Sequence, residues 1–105
     1  MKIYILKKSI TDLKNPILKK EYETNSNDIK EFISEMVTKN YKNYNTKDSL
    51  EECINHALNE FIDGSYYIVN KTKDIQYKNL DDNLLLNELD EIILIKLKYV
   101  RGIIW

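Results

Sequence analysis

The chain has 105 residues, 43% hydrophobic and 31% charged, with a formal net charge of −1 at pH 7. That length gives one domain with one core, and the near-neutral balance excludes a whole-chain electrostatic binder of nucleic acid or of a membrane surface. One cysteine excludes an internal disulfide and fits a reducing compartment, no apolar run reaches membrane-span length, and the early run Ile3–Leu6 is too short for a secretory leader, so the expected location is the cytoplasm.

"KIYILKKS" (2–9) reads as a β-strand, because Ile3, Tyr4, Ile5 and Leu6 are strand formers. "TDLKNP" supplies a turn, with Pro16 fixing φ before the next element. "ILKKEYET" reads as a second, half-polar strand with Leu18 and Tyr22 on one face, which makes an N-terminal hairpin. Residues 25–44 predict a helix whose buried stripe is Ile29, Phe32, Ile33, Met36, Val37, Tyr41 and Tyr44. Asn25, Ser26 or Asn27 can cap it, and Asp28 suits the positive end of its dipole. A second helix follows at about 47–63, with the stripe Leu50, Cys53, Ile54, Ala57, Leu58, Phe61 and Ile62. Thr46, Asp48 or Ser49 can start it, and Gly64 is placed to end it in a left-handed conformation.

"SYYIVN" predicts a strand, "KTKD" a turn and "IQY" a short return strand. "NLDDNLLLNELD" predicts a loop with a helical turn. "EIILIKLKYV" (91–100) predicts the longest strand, apolar on both faces in its first half and therefore central in a sheet. The order is β-β-α-α-β-β-β, and no repeat or linker interrupts it. Then comes "RGIIW", whose bulky close invites three readings: an anchor packed on the core, a removable tail, or a docking peptide for a partner.

Residues that carry chemistry are sparse. His56 lies off the apolar stripe of the second helix with only Cys53 nearby, whereas a metal site needs several converging ligands. Cys53 lies on the stripe behind Glu51 and Glu52, the setting of a small buried hydrophobe and not of an activated thiolate. Two glycines 38 residues apart make no phosphate loop. The sequence therefore offers no catalytic residue, metal site or cofactor site. The charge is uneven: residues 1–24 carry six Lys against three acids, and residues 25–64 four Lys against eight acids, so a weakly basic strand region and an acidic helical face are expected.

The eight tyrosines offer more, because the ring and hydroxyl together suit interfaces. Tyr41 and Tyr44 close the first helix and Tyr66 and Tyr67 open the third strand, with one of each pair expected in the core. Tyr41, Tyr44, Tyr66, the single arginine Arg101 and the single tryptophan Trp105 are the candidate partner-binding residues.

This order, with the long last strand central, resembles the β-grasp fold of ubiquitin-like proteins. "MKIYILKKS" looks like a ubiquitin first strand, "YETNSNDIKEFI" is similar to its strand–cap–helix junction, and residues 65–102 follow its strand, turn, short strand, leucine-bearing loop and final strand ending in Arg-Gly. The resemblance covers residues 1–37 and 65–102, and implies an α+β β-grasp sheet of four or five mixed strands with two helices on one face. The second helix, at about 47–63, has no counterpart in ubiquitin and reads as an insertion within a single domain spanning 1–105.

What the resemblance implies for function is binding to other proteins, without enzymatic activity. Some ubiquitin-like modifiers are made with a short tail that a peptidase removes to expose a terminal Gly. Gly102 is the corresponding processing or conjugation point here, although such proteins typically end in Gly-Gly and this chain has one Gly followed by Ile-Ile-Trp. Some bacterial ubiquitin-like proteins are encoded beside conjugation enzymes, so activating and conjugating enzymes and a tail-removing peptidase are the implied partners. The alternative is a non-conjugated binding module, such as a phage or mobile-element inhibitor using its acidic helical face.

Overall fold

The structure, a computed structural model, describes residues 1–9 and 19–105. The expected turn at Pro16 and the position of Leu18 lie outside the described residues. The elements are β1 (Lys2–Ser9), β2 (Lys19–Glu23), α1 (Ile29–Tyr41), α2 (Leu50–Ile62), β3 (Tyr66–Asn70), β4 (Ile75–Tyr77) and β5 (Glu91–Lys96). They form a five-stranded sheet in the order β2-β1-β5-β3-β4. β5 runs parallel to β1 and antiparallel to β3, so the last strand is central and the sheet is mixed. An α+β architecture of this order, with two helices on one face, is compatible with the β-grasp arrangement expected from the sequence.

Register explains which side chains reach the core. Successive residues of a strand point to opposite faces. Ile5 lies beside Ile92, and Ile68 opposite Leu94, which together with Ile3 makes the helix-facing layer. Onto it α1 lays Phe32, Ile33, Met36 and Val37, and α2 lays Cys53, Ala57 and Phe61. The opposite face pairs Leu6 with Ile93 and Val69 with Ile93, which accounts for β5 reading as apolar on both sides.

Several local expectations differ: α1 stops at Tyr41, and Tyr44 and Ile62, expected on buried stripes, are exposed. The N-cap of α1 is Asp28, one residue later than the candidates at 25–27: its Oδ1 accepts from the Glu31 amide at 2.8 Å, while Glu31 Oε2 reaches back to the Asn27 amide at 2.7 Å. Ser49 caps α2 with a reciprocal Ser49–Glu52 box, and Gly64 ends it at φ +80° as expected.

Residues 79–90 hold two turns and no helix. The carbonyls of Leu80 and Asp82 accept the Lys30 and Ile29 amides at 2.9 and 3.1 Å, satisfying first-turn donors of α1 that have no partner within the helix. The first of these turns is closed by the Asp82 amide on the Asn79 carbonyl at 3.1 Å, and it goes no further than that single turn. Finally, β5 stops at Lys96, short of the expected Val100. The amides of Leu97 and Lys98 both donate to the Ser65 carbonyl, at 2.9 and 3.2 Å, which ends the ladder and turns the chain toward α2.

Candidate binding site at the C-terminal segment

The site begins with a small residue on α2. Ala57 is fully buried on the helix stripe, and its short side chain leaves room for another backbone to come close. Gly102 fills that room: a Cβ placed on it would lie 2.6 Å from the Ala57 nitrogen and 2.8 Å from the Ala57 Cβ. One turn further along α2, the Glu60 carboxylate accepts both the Arg101 and Gly102 amides, at 2.6 and 2.7 Å. These charge-assisted bonds clamp the segment to the helix.

Beyond Gly102 the chain remains docked. Ile103 and Ile104 are buried in the core, and Asn40 Nδ2, at the end of α1, donates to the Ile103 carbonyl at 2.7 Å. The Tyr44 hydroxyl donates to the Trp105 carbonyl. The Trp105 ring packs edge-on against Tyr66, with centroids 5.6 Å apart, and Lys96 Nζ sits 5.6 Å above the indole. Tyr66 also packs at a tilt against Phe61, with centroids 5.9 Å apart, and donates its hydroxyl to the Ala57 carbonyl at 2.6 Å. Burial raises the Tyr66 phenol pKa, with Glu60 and Asp63 adding, so this hydroxyl remains a neutral donor.

Around the segment opens a cleft of about 410 Å³ lined by Tyr44, Asp48, Lys96, Tyr99, Arg101 and Trp105 among others. Asp48 organises one wall. Its Oδ2 lies 3.5 Å from Arg101 Nη2 and 3.8 Å from His56 Nε2, and the Tyr41 hydroxyl donates to its backbone carbonyl at 2.9 Å.

The structure thus gathers the candidates that the sequence scattered over 65 positions. Tyr44, Arg101 and Trp105 share the cleft, and Tyr41 braces it from behind. Tyr66 does not reach the surface: it is fully buried and supports Trp105 from below, while its neighbour Tyr67, on the opposite face, is exposed. Gly102 is buried under α2 and is not a free stalk.

Sequence reasoning missed Glu60, Ala57, Asn40, Lys96 and Tyr99. For Ala57 a signal existed, since a lone Ala within a stripe of large residues marks a place where backbone can approach. Tyr99, 86% exposed, lies beyond the end of β5, within the span 91–100 that reads in the sequence as one strand. Glu60 had no signal, because an acid on a helix is ordinarily solvated.

For covalent chemistry the surroundings offer little. Cys53 is 1% exposed, and burial pushes its thiol pKa up, reinforced by Asp48 and Glu52 and opposed by Arg101. Among the described residues no group of three or more His, Cys, Asp or Glu side chains could hold a metal ion, and no helix is long and apolar enough to cross a membrane. Compared with protein-family models, with curated proteins and with solved structures, the chain gives no match.

Proposed function

We propose that this chain is a cytoplasmic ubiquitin-like module that acts by binding another protein non-covalently, with the cleft around Trp105 as its contact surface. The observation that carries this reading is the docked C-terminal segment. A peptidase needs several residues in extended, accessible form around the bond it cuts. Here the Gly102 amide is held by Glu60, the Ile103 carbonyl by Asn40, and Ile104 is fully buried. Conjugation through Gly102 requires that all of these contacts be surrendered first, which favours the non-conjugated alternative.

The cleft has the composition of a recognition surface. Tyr, Trp and Arg are enriched where proteins meet, and Tyr44, Tyr99, Trp105 and Arg101 line it together. With Arg101 already paired to Asp48, Lys96 is the cation of this wall without a carboxylate partner among the described residues, so the fitting partner presents a carboxylate beside an apolar side chain.

The test is cross-linking in host cells followed by intact-mass analysis. The expected result is a full-length chain ending at Trp105, cross-linked to one dominant partner, with the adduct lost in a Tyr99→Ala/Arg101→Ala variant that still folds. A species ending at Gly102, or one joined to a lysine of a target, would instead establish a modifier.

A further inference from the structure

Segment 101–105 is held as a bound peptide is held. No backbone–backbone hydrogen bond ties residues 99–105 to a strand or helix among the described residues. Side chains hold its backbone instead: the Glu60 carboxylate accepts the Arg101 and Gly102 amides, Asn40 donates to the Ile103 carbonyl, and Tyr44 donates to the Trp105 carbonyl. In peptide recognition, main-chain bonds supply the grip and pockets for alternate side chains supply the selection. Here the selection is a residue without a side chain against Ala57, an aliphatic residue in the core at Ile104, and an aromatic ring against Tyr66.

The connection to β5 is thin. After the Leu97 and Lys98 amides bond to the Ser65 carbonyl, the chain passes through exposed Lys98, Tyr99 and Arg101 before it becomes buried at Gly102. Residues 98–101 span about 14 Å at full extension. That exceeds the roughly 10–12 Å thickness of a helix, so the same segment reaches a neighbouring molecule. Charge steers it to the same groove there. Residues 96–101 carry Lys96, Lys98 and Arg101, whereas α2 carries Glu51, Glu52 and Glu60 and no Lys or Arg. Every contact of the closed chain is also available to a second copy's segment, because the two copies have one sequence.

We propose that segment 101–105 exchanges between two copies of this chain, the groove between α1 and α2 of each taking up Gly102–Trp105 of the other. The exchange is reciprocal, so it closes as a symmetric dimer with no groove left empty. The groove contacts are the same in the closed monomer and the exchanged dimer, so connectivity sets the balance between them. A short tether gives an effective concentration of about millimolar, and exchange becomes competitive at a similar concentration of chains. It passes through an undocked segment, so the two forms interconvert slowly. The groove lies beneath the segment, and the cleft around Trp105 is rebuilt in the dimer, so the protein-binding reading stands or falls separately.

The experiment mixes two full-length variants. Ile104→Asp has an unaltered groove and a segment that cannot dock. Ala57→Leu has an unaltered segment and a groove filled where Gly102 must lie. Each alone is expected to run as a monomer with a lowered melting midpoint, and amide spectra establish that it folds. Mixed in equal amounts, they are expected to form a heterodimer, seen as a doubled mass in light scattering, that melts above either variant. The wild-type chain is warmed close to its midpoint and cooled at about millimolar concentration. It is expected to give a dimer with isotope-filtered NOEs from Ile103, Ile104 and Trp105 of one copy to Ala57 and Tyr66 of the other, and this arm decides alone if either variant does not fold. The proposal is overturned if the folded variants do not pair, if the wild type stays monomeric, or if a dimer forms in which the contacts of 101–105 remain within one copy. In any of these cases the segment is a permanent anchor of its own domain.

Discussion

Gly102 shows how one residue's role is set by what it touches. Beside a final strand a glycine reads as a pivot, free to swing the chain away from the sheet. In the structure it matters for a different reason, the absence of a side chain where backbone meets backbone on Ala57. Gly102→Ala is therefore expected to destabilise by about 1–3 kcal/mol through overpacking, because the atoms that must give way belong to a helix and cannot rotate aside. Denaturant midpoints of the two proteins check this, and equal midpoints would mean the segment lifts from α2 at little cost. Cys53 is the opposite case, since its position on the helix stripe already told its fate. Buried, and with its thiol pKa raised by that burial, it is expected to react with thiol reagents only on the timescale of unfolding, and Cys53→Ala is expected to cost about 1 kcal/mol in packing. Fast labelling under native conditions would reopen a reactive role for this thiol.

The elements divide by how local their causes are. The helices were legible because a stripe at helical spacing and a Ser or Asp before it are properties of a short window, and α2 keeps its box from Ser49 to Glu52 with no outside help. The strands were legible through β-branched and aromatic alternation, and the centrality of β5 through its apolar residues on both faces. The segment after β4 was legible as a loop but its shape was not, because that shape is dictated from a distance. Its carbonyls serve the first turn of α1, and Asp90 ties it to β3 and the turn beyond. Burial alone would raise the Asp90 pKa. The Asn87 amide at 3.0 Å, Asn70 Nδ2 at 3.1 Å and Lys73 Nζ at 3.2 Å outweigh it and hold the carboxyl below the ordinary value. A carboxylate with a depressed folded pKa stabilises above its unfolded pKa of about 4 and loses that contribution as pH falls through the folded value. Asp90→Asn is thus expected to lower stability at pH 7 by about 1–3 kcal/mol and to flatten the acid loss below about pH 4. Unfolding midpoints at pH 7 and pH 3 test both parts. Parallel losses in wild type and variant would remove Asp90 from the acid response.

At the scale of the whole molecule, the C-terminal segment is where fold and candidate site become one question. Composition could flag Tyr44, Arg101 and Trp105 as unusual, but their meeting depends on Asn40, Ala57 and Glu60, which gain meaning only when α1 and α2 lie side by side. If the segment is part of the core, removing Ile103–Trp105 costs more than three side chains. Ile103 and Ile104 are buried, each worth roughly 1.5–3 kcal/mol. Loss of Ile103 also takes away the carbonyl that Asn40 binds, and Tyr66 loses the indole it packs against. For a domain of this size, each kcal/mol shifts the melting temperature by about 4–8 °C. The 1–102 form is therefore expected to melt more than 10 °C lower, roughly, than the full-length chain. Ile104→Ala alone is expected to account for about 2–5 kcal/mol of the loss, because it leaves a cavity with the rest of the segment in place. Thermal unfolding of the three proteins decides the matter. A large drop for both variants makes a folded, trimmed protein ending at Gly102 a poor species to present to any enzyme. An unchanged midpoint for the 1–102 form would mean that the docked segment contributes no stability, and release at Gly102 would then be cheap enough to serve as a processing step.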